Sequence, residues 1–204
     1  MQKAERIAQL LESPSEADPL VIAPRPDMQA LRRSGAASID LRLGSWFAVL
    51  RQSRASVLDL GTASERGDAE YALTKSHYVC FGEKFILHPR SFVLGVTLEW
   101  IRLPSAFGGY VTSRSSWGRR GLIIATATGV HPGFKGCLTL ELANIGELPI
   151  ALYPGMAICQ FFLHKVDGDS TTVDTSMFVG KRKPLLGTVE FDTMARRIAG
   201  FPPD

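Results

Sequence analysis

The fold is decided by the stretch GVHPGFKGCLTLELANIGELPIALYPGMAICQ, residues 129–160. In its CLTLELAN segment, leucines alternate with other residues, which is the period of a strand with one buried face. Pro-Gly pairs at 132–133 and 154–155 interrupt the apolar runs with turns. The stretch and its continuation therefore predict three short strands, at 138–144, 150–152 and 157–164.

The same pattern of short apolar runs and turns extends upstream. It predicts further strands at 39–44, 46–50, 77–80, 84–87, 92–98, 109–113 and 122–128. We expect 46–50 to continue the pairing of 39–44 after a bulge at Gly44-Ser45. Strands at a spacing of about 8–12 residues are typical of a sandwich, a barrel or a jelly roll. The predicted fold class is therefore mainly β.

Helical patterns are few and short. Apolar residues at helical spacing predict a helix within 2–12, and shorter helical segments are predicted at 28–33 and 113–120. A short strand is predicted within 19–26. Residues 61–76 are polar and aperiodic, which indicates a surface excursion.

Composition excludes several classes of protein. Of the 204 residues, 45% are hydrophobic and 21% are charged, which is the balance of a folded domain. Lys and Arg number 23 against 20 Asp and Glu, so a general nucleic-acid binder is not indicated. No apolar run approaches the roughly 20 residues of a membrane-spanning helix. We therefore expect a soluble, cytoplasmic protein that binds neither nucleic acid nor membrane.

Cysteine and histidine residues form no recognisable metal pattern. Cys80, Cys137 and Cys159 are far apart and include no CxxC pair. We interpret them as buried thiols in a reducing compartment. The four histidines are scattered, and the zinc-deaminase signature, His-x-Glu with Pro-Cys-x-x-Cys, does not occur in the sequence. The sequence therefore predicts no metal site built from protein ligands.

A basic segment, SRSSWGRRG at 113–121, brings hydroxyls and guanidinium groups together within one or two turns. Arginine side chains match phosphate oxygens bidentately, and hydroxyls with exposed amides complete such a cradle. A solvated basic surface explains the same composition equally well. The residues alone leave both interpretations open.

Glu141 lies in the centre of the alternating strand. Thr139 and Ala143 share its face, and the leucines share the other. A carboxylate at such a position either faces solvent or projects into a pocket, and the residues alone favour solvent. Only in a pocket could it act as a general acid or base on a bound molecule.

Four pieces of sequence match one family in order and spacing. They are ASIDLRLG (37–44), FILHPRSFVLGVTLEWIRLP (85–104), RSSWGRRGL (114–122) and TATGVHPGFKGCLTLELANIGELPIALYPGMAICQ (126–160). Together they resemble the trimeric dCTP deaminase and dUTPase superfamily. The resemblance implies a distorted jelly roll or β-barrel of the dUTPase-like type, with two strands within 85–104 that precede the active site. It also implies one domain over 1–204, with its core at about 20–165 and a C-terminal arm or lid at 166–204.

Two features favour the dCTP deaminase branch of this superfamily. Arg114-Ser115-Ser116, followed by Arg119, matches the R-S-S-x-x-R of deaminases, where dUTPases usually have R-S-G. Glu141 matches the glutamate that these deaminases use as catalytic base. The resemblance therefore places Glu141 in a pocket and implies zinc-independent hydrolysis of dCTP to dUTP and ammonia.

The resemblance also assigns catalytic roles. Glu141 takes a proton from the attacking water and later delivers one to the leaving ammonia. Ser115 and the backbone at Thr126 and Ala127 hold the water, and Arg119 stabilises the charge beside it.

Contacts to the triphosphate are implied for the basic segment. Arg114, Ser116 and the backbone amides of 114–119, those of Trp117 and Gly118 included, cradle the phosphates. Mg²⁺ bound through the substrate triphosphate bridges the phosphate oxygens.

Contacts to the base are implied for the alternating strand, where backbone atoms of Thr139 and Leu140 read the pyrimidine edge. Members of the family are homotrimers with sites at subunit interfaces. We therefore expect the 114–119 segment and Glu141 of one site to come from different chains.

The sequence departs from the family pattern in three places. His131 replaces the aspartate that contacts the sugar 3′-hydroxyl in the I-D-P-G motif; imidazole can accept that hydrogen bond but is no carboxylate. The lid motif K-Y-x-G-Q-x-G-P is matched only by MFVGKRKP (177–184). There Met177 replaces a phosphate-binding lysine, and Lys181, interpreted as a direct clamp on phosphate, replaces the base-reading glutamine. The family's phosphate-contacting tyrosine has no match in 166–176.

These departures leave several functions open. The first is a dCTP deaminase that uses Glu141. The second is a dUTPase, or a bifunctional enzyme that forms dUMP directly, and the missing aspartate counts against it. The third is a catalytically silent trimeric nucleotide-binding or regulatory protein, and an enzyme acting on a modified pyrimidine nucleotide is a related alternative.

Overall fold

Antiparallel strands dominate the computed structural model of the protein, which describes residues 1–13, 15, 17–50, 74–125, 129–168, 180–187, 194 and 198. The helices are α1 (Ala4–Glu12), α2 (Met28–Arg33) and α3 (Ser115–Gly118). The strands are β1 (Val21–Ala23), β2 (Ile39–Arg42), β3 (Trp46–Leu50), β4 (Thr74–Tyr78), β5 (Phe85–Leu87), β6 (Phe92–Arg102), β7 (Phe107–Ser113), β8 (Leu122–Ile124), β9 (Gly129–Val130), β10 (Lys135–Asn144), β11 (Ile150–Leu152) and β12 (Ala157–Lys165). The prediction of a mainly β fold is confirmed.

The strands of the described part form three sheets around one apolar core. The largest has the order β4-β3-β6-β10-β8, with β1 also paired to β6. The second has the order β2-β12-β7-β9, and β5 with β11 forms the third. Residues of the two larger sheets meet in the core without exposed surface, among them Leu41, Phe47, Leu140, Leu142 and Phe161. This burial of one face of each sheet in a common core agrees with the expected jelly-roll type of fold.

The helical segments predicted within 2–12, 28–33 and 113–120 all form. The residues that α1 buries are spaced three or four apart on one face: Ala4, Ile7, Ala8 and Leu11. Asp27 caps α2, because its side chain accepts hydrogen bonds from the amides of Gln29 and Ala30. None of the helices in the described residues has the length and apolarity needed to span a membrane.

The expectation that residues 46–50 continue the pairing of the preceding strand is wrong. β2 pairs with β12, whereas β3 pairs with β4 and β6 in the other large sheet. The chain changes sheets at Gly44, whose amide donates to the carbonyl oxygen of Val96 at 2.7 Å. A Cβ on Gly44 would lie only 3.0 Å from that oxygen. A residue without a side chain therefore permits the crossing.

Three other predictions need adjustment. The two strands expected within 85–104 form as β5 and β6, but they belong to different sheets. Of the excursion expected at 61–76, residues 74–76 belong to β4 and the others lie outside the described residues. The strand expected at 122–128 is β8, which ends at Ile124, and residues 126–128 lie outside the described part.

The prediction of three buried thiols is wrong for Cys80, which is exposed in the turn after β4. Cys137 is half-buried and Cys159 is buried, and all three are free cysteines. Burial is the main cause that raises the pKa of the Cys137 and Cys159 thiols, and the carboxylate of Glu99 raises both further. The guanidinium of Arg182 opposes this shift of the pKa at Cys137.

Asn144, which is 1% exposed, connects the end of β10 to two neighbouring segments. Its side-chain amide donates to the carbonyl oxygens of Leu87 at 3.0 Å and Leu148 at 2.8 Å. Its side-chain oxygen accepts from the amide of Gly146 at 2.9 Å. One side chain therefore holds the end of β5 and the loop before β11 against β10.

We expect Asn144→Ala to lower the free energy of unfolding by about 2–4 kcal/mol, because three backbone groups lose their partner. Urea-induced unfolding measures the change. Ile145→Ala is the matched control, because Ile145 is the next residue and is 68% exposed. The control should change the free energy by less than about 0.5 kcal/mol, and equal losses in the two variants would contradict this role of Asn144.

Candidate functional site

The alternation predicted around Glu141 is confirmed. The leucines of β10 are buried, and Glu141 is half-buried on the opposite face between Thr139 and Ala143. The backbone of Glu141 pairs with Leu94 of β6, and its carbonyl oxygen accepts from the amide of Ala125 at 2.9 Å. Glu141 therefore lies on the outward face of a central strand whose backbone is fixed from both sides.

The basic segment folds as the end of β7 followed by the one-turn helix α3. Arg114 Nη1 donates to Asp40 Oδ2 of β2 at 2.8 Å, and both side chains are partly exposed. Trp117 Nε1 donates to the carbonyl oxygen of Ala157 in β12 at 2.8 Å, and the Trp117 ring packs against the core. Both contacts attach α3 to the second sheet.

The fold of this turn limits the groups that a ligand can reach. The amides of Trp117, Gly118 and Arg119 already donate to carbonyl oxygens within the turn. Among the residues of α3, the amides of Ser115 and Ser116 are not used in this way, and both side chains are exposed. The Arg119 side chain is also exposed. Of the groups expected to contact phosphate, the Arg114 side chain and the hydroxyls and amides of Ser115 and Ser116 are therefore the ones that this turn leaves accessible.

Strand register separates Glu141 from α3 within one chain. β8 follows α3 and runs antiparallel to β10, with Leu122 opposite Asn144. The segment between α3 and β8 passes the C-terminal end of β10, where the carbonyl oxygen of Gly121 accepts a hydrogen bond from the amide of Ile145 at 2.9 Å. Because a strand advances about 3.3 Å per residue, Glu141 lies roughly 10 Å inside that end. The arginine–serine turn and the carboxylate thus occupy different places along β10.

His131 is exposed in the turn between β9 and β10. Its carbonyl oxygen accepts from the amide of Phe134 at 3.2 Å, and Gly133 has a φ of 73° that favours glycine. The Pro-Gly turn predicted here is therefore present, with the imidazole at the surface.

Lys181 is exposed beside the start of β10. Its carbonyl oxygen accepts from the amide of Cys137 at 2.9 Å, and Lys183 Nζ lies 4.0 Å from the centre of the Trp46 ring. The basic cluster of Lys181, Arg182 and Lys183 is therefore held against the rest of the chain by the backbone of Lys181 and the side chain of Lys183. Ala127 and Met177 lie outside the described residues, so their roles stay predictions.

Sequence reasoning missed two carboxylates near the site. Asp40 pairs with Arg114 across 74 positions of sequence. Glu99, 3% exposed, accepts from the backbone amide of Arg42 at 2.8 Å and from its Nε at 2.7 Å, across 57 positions. Asp40, Arg42 and Glu99 line part of a cavity of about 370 Å³ beside α2. The alternation in IDLRL marked Asp40 and Arg42 as outward residues, but nothing local could identify their partners.

Fold and site together define a class of protein: a β-sheet protein with an arginine–serine turn suited to phosphate and a separate carboxylate on a central strand. A family model described as dCTP deaminase-like matches residues 3–166. The chain therefore belongs to the dCTP deaminase-like family.

Similar proteins agree with this membership. The chain is 42% identical over 142 residues to a protein of Methanobrevibacter smithii named dCTP deaminase, dUMP-forming, over 69% of this chain and 70% of the relative. It is also 42% identical over 154 residues to a dCTP deaminase of Halorubrum lacusprofundi, over 75% of this chain and 72% of the relative.

A solved structure shows the same fold. The crystal structure of 2′-deoxycytidine 5′-triphosphate deaminase from Agrobacterium tumefaciens matches with a TM-score of 0.58 at 20% identity. The match covers 79% of this chain and 45% of that one.

We expect Trp117→Phe to lower the free energy of unfolding by about 1–2 kcal/mol, because the carbonyl oxygen of Ala157 loses its donor. Thermal and urea unfolding measure the change. Ser115→Ala, at an exposed position of the same turn, is the control and should be nearly neutral. If Trp117→Phe were also neutral, Trp117 would not anchor α3.

Proposed function

We propose that the protein hydrolyses dCTP to dUTP and ammonia with Glu141 as general base and then general acid. The observation that carries this proposal is the position of Glu141, half-buried on the outward face of a central strand. The family membership and the names of the relatives support dCTP as substrate.

The chemistry follows from the reacting groups. Water attacks C4 of the cytosine: a new C4–O bond forms, the electron pair of the C4=N3 double bond moves to N3, and the carboxylate of Glu141 takes a proton from the water. The protonated Glu141 then delivers that proton to the amino nitrogen, the electron pair on N3 re-forms the C4=N3 double bond as the C4–N bond to the amino group breaks, and ammonia leaves. The remaining proton of the C4 hydroxyl moves to N3, which gives the C4 carbonyl of uracil. Ser115 and the backbone at Ala127 hold the water, and Arg119 stabilises the developing negative charge. The zinc-deaminase signature does not occur in the sequence, so activation of the water is assigned to the carboxylate of Glu141 and not to a zinc ion.

The triphosphate is bound by the other half of the site. Arg114 and the hydroxyls and amides of Ser115 and Ser116 contact its oxygens. Arg114 exchanges its partner Asp40 for phosphate or shares its guanidinium between the two, which its partial exposure allows. Lys181, an exposed residue of the C-terminal arm, clamps phosphate from the other side.

Mg²⁺ fits this site as a part of the substrate. In the described residues, no three His, Cys, Asp or Glu side chains come together around a common point. Mg²⁺ is commonly held by phosphate oxygens and water, with few protein ligands. Arg114, Ser115 and Ser116 would hold the magnesium–triphosphate complex through its phosphate oxygens. When bound, the ion reduces the negative charge of the triphosphate.

The functional unit is a homotrimer in which α3 of one chain faces Glu141 of its neighbour. Two features of the single chain support this arrangement. Glu141 lies about 10 Å inside the end of β10 that α3 approaches, and the Arg119 side chain is exposed. A symmetric assembly brings the two halves together without changing either fold.

A second candidate function is direct formation of dUMP, with loss of pyrophosphate after deamination. The names of three relatives favour it, since they are called dUMP-forming. His131 argues against it, because imidazole replaces the family aspartate whose equivalent in dUTPases helps to activate water. The released products separate the two functions.

We expect Glu141→Gln to reduce ammonia release from dCTP by about 1,000-fold or more, because an amide cannot carry the proton. The protein is incubated with Mg²⁺ and either dCTP or dUTP while ammonia, dUTP, dUMP and pyrophosphate are followed. Glu147→Gln is the matched control, because Glu147 is exposed in the loop after β10, and its rate should stay within about twofold of the native rate.

Each product pattern decides between functions. Ammonia with dUTP supports the deaminase, and ammonia with dUMP and pyrophosphate supports the bifunctional enzyme. Pyrophosphate from dUTP without ammonia from dCTP supports a dUTPase. Tight binding of dCTP or dUTP without turnover of either contradicts the deaminase, dUTPase and bifunctional functions and favours a nucleotide-binding protein.

We expect weak recognition of the sugar 3′-hydroxyl, because His131 is an exposed imidazole in a surface turn. The kcat/KM for dCTP should exceed that for the 3′-deoxy analogue by less than about tenfold, since a buried hydrogen-bonding group would discriminate far more strongly. His131→Asp should increase the ratio. Strong discrimination by the native protein would indicate that imidazole or another group has replaced the aspartate.

A further inference from the structure

The ladder between β6 and β10 is interrupted directly before the site. Cys137 lies opposite Trp100, but Thr139 lies opposite Val96. Three residues of β6, Thr97 to Glu99, therefore lie opposite Leu138 alone. Backbone groups in such a bulge lose their ladder partners and need others.

Thr97 supplies the missing partner. Its hydroxyl accepts a hydrogen bond from the amide of Leu138 at 2.9 Å and donates one to the carbonyl oxygen of Glu99, also at 2.9 Å. The residue is 1% exposed, so water cannot replace the hydroxyl. One side chain therefore satisfies a donor of β10 and an acceptor of β6.

On the side away from β10, the bulged segment of β6 is held by the end of β2 and the two residues that follow it. The carboxylate of Glu99 accepts from the amide and Nε of Arg42, and Leu43 forms a bridge with Thr97. The amide of Gly44 donates to the carbonyl oxygen of Val96. Thr97 thus connects the bulge of β6, which residues 42–44 hold in place, to β10, the strand that carries Glu141.

We propose that Thr97 is a positioning residue for the base-reading part of the site. Leu138, whose amide Thr97 holds, directly precedes Thr139 and Leu140. The inference rests on the proposed function, in which the backbone of those two residues contacts the pyrimidine. Loss of the bond lets β10 shift relative to β6 where the backbone must meet the base, and a small misplacement of reacting groups costs rate.

The triphosphate half of the site does not depend on Thr97. Arg114 and Trp117 are held by Asp40 and Ala157 of the second sheet. Substrate affinity that comes from the phosphates therefore survives the loss of the hydroxyl. The expected signature is a decrease in kcat with little change in KM.

Two variants at this position and one control test the proposal. Thr97→Val removes the hydroxyl and keeps the branched shape, and Thr97→Ser keeps the hydroxyl. With dCTP, Thr97→Val should lower kcat about tenfold with KM within about threefold, and Thr97→Ser should keep both within about threefold. Leu11→Ala, in the buried face of α1, lowers Tm without touching the site and should keep kcat within about threefold.

Amide hydrogen exchange of Leu138, followed by NMR, tests the same bond without catalysis. Exchange should be at least about tenfold faster in Thr97→Val and unchanged in Thr97→Ser. Turnover by the native protein together with an unchanged kcat in Thr97→Val would overturn the positioning role alone. Equal losses in the Val and Ser variants, or unchanged exchange of Leu138, would also overturn it. A native protein that releases no ammonia contradicts the proposed function instead.

Discussion

Burial of the leucines of β10 is the constraint on which the rest of the site depends. Leu138, Leu140 and Leu142 are at most 7% exposed, and each contributes about 1.5–3 kcal/mol of hydrophobic stabilisation. Because side chains alternate along a strand, a slip of one residue would expose the leucines and turn Glu141 into the core. The apolar core therefore determines the face on which Glu141 lies. The bulge of β6 opposite Leu138 must leave this alternation of buried and outward side chains along β10 unchanged.

The two halves of the site depend on different sheets. Glu141 belongs to the large sheet, where β6 and the residue after β8 fix its backbone. Arg114 and α3 are held by contacts to β2 and β12 of the second sheet. Each half is held by its own hydrogen bonds, and the strand register keeps the two halves apart in one chain. In the proposed homotrimer, association of identical chains joins them through surfaces that every copy already has.

The local sequence predicted the features that depend on periodicity, namely which segments form helices or strands and which of their faces are buried. The alternation of CLTLELAN identified the buried and outward faces of β10, and the spacing of Ile7 and Leu11 identified α1. The pairing of strands and of charged side chains could not be predicted in the same way. A period of two residues shows which face of a strand is buried, but it does not show which strand lies beside it. The change of sheet at Gly44 is one example. The ion pairs of Asp40 and Glu99, formed across 74 and 57 positions, are others. The expectation that Glu141 lies in a pocket comes from the resemblance to the family, because no pattern in the residues separates a pocket from solvent.

Complementation between two inactive variants tests the shared site most directly. Glu141→Gln chains and Arg119→Ala chains are unfolded together in equal amounts and refolded, and ammonia release from dCTP is measured. Random assembly gives about a quarter of the sites an intact Arg119 from one chain and an intact Glu141 from its neighbour. If the site is shared between chains, each variant alone is inactive and the mixture recovers about a quarter of the native rate. A mixture as inactive as its components would contradict a site shared between chains.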